Sequence, residues 1–335
     1  MIKKTYYLLT ILFGVFISFV VAILLDIYIN ADLNTDIINF RLTDNKILLY
    51  SMKTGINDWS YETEIYINKQ GFRDADFDTK SGNVKVMCLG DSTTFGGHID
   101  EKLLYTSKLS VLLGEKYSVY NLGVDGYNII QEAENLKVNG LKYNPDIVLV
   151  IFCLNDFDDN DFHIYYAAKA NSYGINNFLY KSKIYRRFIC LPIMKLIDNC
   201  KDKNIMSPAY MYRKYGEIDV SDVEDEEIGV KVFSQLQKQY GFKCYFFILP
   251  YFKDFDNYSK EYEYVHNKIK KILTKYNNIK WFDLKEDFMN ISKNADIFVN
   301  HSDKYIDIAH PNEYGNELIA RFIYDKLKSD GALKI

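Results

Sequence analysis

Eight residues near the middle of the chain, Asp146-Ile147-Val148-Leu149-Val150-Ile151-Phe152-Cys153, are apolar without a break after the first. A strand with one wet face alternates apolar and polar side chains. An unbroken apolar run reads instead as a strand buried on both faces, inside a sheet that helices cover on either side. The neighbouring sequence keeps to that pattern from Val84 onward. A strand at 84–89 is followed by a helix near 100–113, and a strand at 117–122 by a helix near 128–140. After the strand at 146–153 comes a long irregular insertion, about 156–220. Ser221 reads as the cap of a helix near 222–239, with Asp222, Glu224 and Asp225 at its positive end and Gly241 as its stop. A strand at 243–249, a helix near 258–275, a short strand at 279–283 and a last helix near 312–329 complete the order. Strands alternating with helices predict an α/β fold of three layers, α/β/α, around a central parallel sheet.

The chain has 335 residues, which suits one α/β domain with insertions or two small ones. Residues 1–26 read as a cytoplasmic stub and membrane anchor, 27–80 as a membrane-proximal segment, and 81–335 as the main domain. In the membrane-proximal segment, Lys46-Ile47-Leu48-Leu49-Tyr50 and Glu64-Ile65-Tyr66-Ile67 are short strand candidates, and Asn68 to Asp74 is a turn. The formal charge is −4, with no basic patch, which argues against a nucleic-acid partner. Cys88, Cys153 and Cys244 fall in apolar runs and read as small buried hydrophobes. Cys190 and Cys200 are able to pair only if the domain lies outside the cytoplasm. No Cys/His metal spacing occurs, and His98, His163, His266 and His301 are scattered, so no metal is expected.

Residues Tyr6 to Leu25 carry no charge. As a helix they would span about 30 Å, the hydrocarbon thickness of a bilayer. Lys3 and Lys4 precede the run and Asp26 ends it, so the positive-inside rule keeps the amino terminus in the cytoplasm and exports the rest. A cleaved signal peptide is the rival reading. It would have a shorter apolar core and a small-x-small site, which Asp26-Ile27-Tyr28-Ile29-Asn30-Ala31 does not supply. The expectation is an uncleaved single-pass anchor in the cell membrane, with the main domain extracytoplasmic.

Four short motifs carry chemistry. Gly90-Asp91-Ser92 follows the strand at 84–89, where open α/β sheets bind ligands. Its glycine permits a tight turn that lets the serine hydroxyl project. Asn121-Leu122-Gly123-Val124-Asp125-Gly126 follows the next strand, and Gly126 can offer a backbone N–H to a substrate carbonyl. Either glycine could instead only shape the loop. Leu154-Asn155-Asp156 follows the third strand, where the Asn155 amide can donate to the same oxygen. Far downstream, Asp307-Ile308-Ala309-His310-Pro311-Asn312 precedes the last helix. A histidine acting as general base needs its second nitrogen held by an acceptor, and an aspartate three residues earlier can curl back to do so. The same segment also reads as a helix start. Nucleophile, base and orienting acid are together the minimum for serine-based acyl transfer.

Ser92 in Gly-Asp-Ser, Gly126, Asn155 in Asn-Asp and His310 in Asp-x-x-His, in this order, resemble the SGNH/GDSL hydrolase superfamily from about Val84 to Lys328. The turn Gly71-Phe72-Arg73-Asp74 is similar to a bacterial, membrane-anchored subgroup of it. One departure is Cys153, where the family's third block usually has glycine. The resemblance implies a flavodoxin-like sheet and a serine esterase or acylhydrolase with the triad Ser92, Asp307 and His310. It implies an oxyanion hole of Ser92, Gly126 and Asn155, and no cofactor.

The expected partner is an acyl ester, with O-acyl or acetyl groups on envelope glycans as the leading class. A lipid or lysophospholipid esterase, an O-acyltransferase using the same triad, and a non-catalytic envelope scaffold are the alternatives. Aromatics and bases in the insertion, among them Tyr165, Tyr166, Tyr173, Phe178, Tyr180, Tyr185, Phe188, Lys181, Lys183, Arg186 and Arg187, read either as a specificity element or as a lid packing its own small core. No feature of the sequence names a protein partner.

Overall fold

The computed structural model describes residues 2–29, 40–60, 63–77, 82–97, 99–158, 164–165, 168–169, 179, 182–190, 192, 207–252, 259–292, 298–302 and 305–333. Helix α1 (Ile2–Ile29) comes first. Strands β1 (Phe40–Leu42) and β2 (Tyr50–Met52) pair antiparallel, as do β3 (Ile56–Ser60) and β4 (Thr63–Ile67). Then follow β5 (Val84–Leu89), α2 (Ser92–Phe95), α3 (Tyr105–Leu113), β6 (Tyr117–Asn121), α4 (Ile129–Asn135) and β7 (Ile147–Phe152). The carboxyl half holds α5 (Pro208–Tyr215), α6 (Ile228–Tyr240), β8 (Lys243–Ile248), α7 (Lys260–Leu273) and β9 (Ile279–Asp283). It ends with α8 (Lys285–Ser292), β10 (Phe298–Ser302), β11 (Tyr305–Pro311) and α9 (Glu313–Ser329).

The central sheet has five parallel strands in the order β6-β5-β7-β8-β9. All six residues of β7 are buried, as its unbroken apolar run requires. Alternate residues of each strand serve opposite faces. Met87, Leu89, Val148, Val150, Phe246 and Ile248 pack with α4, α6 and α7. Val86, Cys88, Leu149, Ile151, Tyr245 and Phe247 pack with α3, α8 and α9. The three layers are therefore those the alternation of elements predicts. Cys88, Cys153 and Cys244 are buried free thiols, also as expected.

Residues 40–77 do not hang from this body as a tether. Phe40, Ile47, Leu48, Tyr50, Met52, Ile65, Ile67, Phe72 and Phe77 join the same apolar cluster as Met87 and Tyr120. The Lys46–Tyr50 strand is a correction. Asn45 accepts the N–H groups of Ile47 and Leu48, both at 2.9 Å, and closes a turn there, so extended backbone begins only at Tyr50.

Ser221 is a second correction. The helix after it starts as a tight turn at Asp225–Glu227, and the Ser221 N–H instead donates to Asp219, at 2.9 Å. The insertion is not wholly irregular, because Ser207 and Pro208 start α5. Tyr166, Tyr173, Phe178, Tyr180, Lys181 and Cys200 lie outside the described residues, as does the Cys190 side chain, so the proposed Cys190–Cys200 pairing falls there too. Helix α8 and the β10–β11 hairpin are elements the sequence reading did not contain.

Thr5–Ile29 is one helix long and apolar enough to cross a membrane, with a mean hydropathy of 3.0. Its far end makes specific contacts. Ile23 and Ile27 are buried, and Asp26 accepts from the Ser182 hydroxyl at 2.7 Å and the Ile184 N–H at 3.0 Å.

At the edge strand β9, Asp283 meets the buried His266 at 2.7 Å and Lys270 at 2.9 Å. Burial alone would raise this carboxyl, but the His266 and Lys270 hydrogen bonds outweigh it and hold Asp283 below the ordinary carboxylate range. A carboxyl lowered in the folded state stabilises above its unfolded value of about 4 and loses that contribution as pH falls further. Asp283→Asn should therefore cost about 2 kcal/mol at neutral pH. The difference from wild type should shrink steadily below about pH 4. Denaturant unfolding of both full-length chains across that range checks it.

Candidate active site

Strand β5 ends at Leu89 and the chain turns at Gly90 into α2, whose first residue is Ser92. A side chain at position 90 would sit 2.1 Å from the Thr94 hydroxyl and 3.2 Å from the Ile151 carbonyl. Only glycine leaves room for so tight a turn. Asp91 caps α2 by accepting the Thr93 N–H at 2.9 Å. The Ser92 hydroxyl is then half-buried at the carboxyl edge of the sheet.

The Ser92 Oγ lies 2.7 Å from Nε2 of His310, a residue 218 positions later. His310 is the penultimate residue of β11, and two residues on Asn312 caps α9 by accepting the Gly315 N–H at 3.0 Å. The helix-start reading of that segment therefore holds. Asn316, buried in the first turn of α9, fixes the corner. Its side chain donates to the Pro311 carbonyl at 2.9 Å and accepts the Tyr105 N–H at 2.9 Å. Asp307 stands three residues before His310 in backbone that is extended rather than curled, and its side chain lies outside the described residues.

The other two loops reach the same edge. After β6, the N–H groups of Leu122 and Val124 donate to the carbonyls of Cys88 and Gly90 at 2.8 and 3.2 Å. Gly123 is the glycine this loop needs for space. A Cβ there would lie 2.5 Å from the Phe95 nitrogen and 2.6 Å from the Thr94 carbonyl carbon. Gly126 has φ +73°, a left-handed conformation that favours glycine, and precedes Asn128, the cap of α4. After β7, the Asn155 amide donates to Asp91 Oδ2 at 2.9 Å. An amide nitrogen has two hydrogens, so one remains for another acceptor.

Cys153, the departure from glycine, is buried, with its Sγ 3.3 Å from the Thr93 hydroxyl, so the thiol fills space beneath α2. Behind this loop lie two buried carboxyls. Burial first, then the charge of Asp91, pushes Glu132 well above the ordinary range. Burial first, then Glu132 and Asp91, does the same to Asp156, which accepts the Cys153 N–H at 2.7 Å.

Ser92, His310 and Asn155 are thus tied to one turn by direct contacts, and Gly126 stands in the adjoining loop. The sequence reading quoted Arg73 and Asn121 within motifs but gave them no role of their own, and it did not single out Asn316; all three are polar and buried. Their signal was present only as polar residues beside turns. Among the described residues no cluster of His, Cys, Asp and Glu could hold a metal ion.

A family model described as the GDSL-like lipase/acylhydrolase family matches residues 88–318. No curated protein matches the chain. Among solved structures, the acetyl xylan esterase AlAXEase is 17% identical with a TM-score of 0.45, over 73% of this chain and 100% of that one. A catalytic mutant of Axe2, an acetylxylan esterase from Geobacillus stearothermophilus, is 16% identical with a TM-score of 0.44, over 74% and 94% of the two chains. TesA is 12% identical with a TM-score of 0.44, over 73% and 98%.

Gly123→Ala should force α2 and the β6 loop apart. Overpacking of this kind costs about 1–3 kcal/mol. A thermal melt should show that loss, and phosphonylation of Ser92 by a fluorophosphonate should slow at least about tenfold, since small misplacements of reacting groups are expensive.

Proposed function

Because the chain belongs to the GDSL-like lipase/acylhydrolase family and is an ester-hydrolysing enzyme, we propose that it works by a two-step serine mechanism centred on Ser92. The observation that carries this reading is the 2.7 Å contact between Ser92 Oγ and His310 Nε2. His310 takes the hydroxyl proton as Ser92 attacks the ester carbonyl. Asp307 is proposed to hold the other ring nitrogen, which fixes the tautomer and stabilises the imidazolium. The carbonyl oxygen gains negative charge, which the N–H groups of Ser92 and Gly126 and the Asn155 amide are proposed to accept. Each such donor is worth about 3–4 kcal/mol of barrier. His310 then protonates the departing alcohol. Water, activated by the same histidine, releases the acid and restores Ser92.

The proposed substrate class is an O-acyl ester, acetyl first, on glycans of the cell envelope. What supports this is the apolar helix at the amino terminus, preceded by Lys3 and Lys4. On this reading residues 6–25 anchor the chain in the cell membrane and the hydrolase domain, residues 81–335 with the insertion 156–220, faces outward.

Ser92→Ala should abolish hydrolysis of short acyl esters while the melting curve stays that of wild type. Asn155→Ala should lower kcat by about a hundredfold or more and change KM little, since its donor acts in the transition state. Wild-type turnover by Ser92→Ala would end the serine mechanism.

Topology has its own check. Protease added to intact spheroplasts should digest the domain, and the membrane fraction should hold full-length chain. A domain protected until lysis would remove the envelope substrate. A shortened soluble form would show that the helix is a cleaved signal.

A further inference from the structure

We propose that Arg73 is a positioning residue for the nucleophile, and that it acts together with Asp74 by holding the carbonyl side of the turn that carries Ser92. The proposal rests on the serine mechanism above and gives a role to a residue outside the four motifs that carry the chemistry.

Arg73 lies 19 residues before Ser92, beyond the start of the parallel sheet. Its side chain is nonetheless fully buried. The guanidinium donates to the Phe95 carbonyl at 3.2 Å, to the Gly96 carbonyl, and to the Ile99 carbonyl at 2.6 Å. The Phe95 and Gly96 carbonyls close α2, whose first residue is Ser92, and the Ile99 carbonyl follows in the loop beyond it. The last carbonyls of a helix have no intrahelical N–H partners, although the Gly96 carbonyl also accepts the Ile99 N–H at 3.3 Å. A planar fork of N–H groups reaches all three oxygens at once.

Asp74 completes the clamp through an intermediary. It accepts the Asn121 N–H at 2.8 Å. The Asn121 side chain in turn donates to the Thr94 carbonyl at 2.9 Å and accepts the Gly123 N–H at 2.9 Å. Thr94, Phe95, Gly96 and Ile99 are thus all held from the Arg73-Asp74 pair. The pair is itself fixed, because the Asn68 side chain accepts the N–H groups of Gln70 and Phe72 and donates to the Ala75 carbonyl.

The charge survives burial. Desolvation pulls the guanidinium down to about 10, with Glu101 and Asp100 working the other way, so it stays protonated at neutral pH. A cation at the carboxyl end of α2 also suits the direction of the backbone dipoles, whose positive end faces Ser92. The structure therefore contains a seat for the catalytic turn, built from residues on the amino-terminal side of the sheet.

The test uses full-length protein in detergent and short acyl esters, at a temperature where melting curves show every variant fully folded. Arg73→Lys keeps a charge but not the fork, and Asp74→Ala removes the acceptor for Asn121. Arg73→Lys should lower kcat at least tenfold with KM within about twofold, and Asp74→Ala should lower kcat about threefold to tenfold. Fluorophosphonate labelling of Ser92 should slow in parallel, while the pH at which kcat rises to half its plateau stays put. A lower melting temperature with unchanged kcat in either variant would make the pair merely structural and overturn the proposal. If Arg73→Lys yields no folded protein, Asp74→Ala decides alone by the same criterion. An active Ser92→Ala control would instead mean that the serine mechanism itself had failed.

Discussion

One carboxylate holds two loops of the site in register. Asp91 accepts the Thr93 N–H with one oxygen and the Asn155 amide with the other, and the Ser92 hydroxyl lies 3.4 Å from the second. The first contact caps α2 and so aims Ser92. The second ties the loop after β7 to the same turn. Because charged hydrogen bonds of this kind are roughly twice as strong as neutral ones, the turn and the Asn155 loop move as one body. Burial and the Asp91 charge push the Glu132 and Asp156 carboxyls behind it upward.

The legible part of the fold was the part written in local patterns. β7 announced itself through an apolar run that no one-sided strand can have, and its neighbours followed from the alternation of strand and helix. Ser92 and Asn155 could be placed because each follows directly on such a strand. His310 could be placed because a capping asparagine and a helix follow it. What escaped were features that depend on partners distant in sequence. Lys46–Leu48 has the composition of a strand, yet Asn45 offers the backbone a closer bond and wins. Ser221 has the right residue type for a cap, yet Asp219 closes a turn on it and the helical backbone begins only at Asp225. The β10–β11 hairpin is short and mixed in polarity, so no period marks it.

The amino-terminal third illustrates the same point on a larger scale. Its strands are too short to read with assurance, and a tether would have served the composition equally well. The structure instead runs Leu48 and Tyr50 into contacts with the loop and helix after β6. Tyr50 donates to the Asp125 carbonyl at 3.2 Å, Tyr127 to the Tyr50 carbonyl at 2.5 Å, and Gln131 to the Leu48 carbonyl at 3.0 Å. The loop that contains Gly126 is thus braced by this segment. A stretch that looks like a spacer in sequence supports a loop of the candidate site.

On the serine mechanism proposed above, the nucleophile and its base are separated by 218 residues of chain. A ribosome adds about 5–20 residues per second, so roughly 10–45 s pass between the appearance of Ser92 and that of His310. On that mechanism the serine lacks its base throughout the interval. The strands of the central sheet precede β11 in the chain. A chain clipped before His310 therefore keeps those strands but not that base.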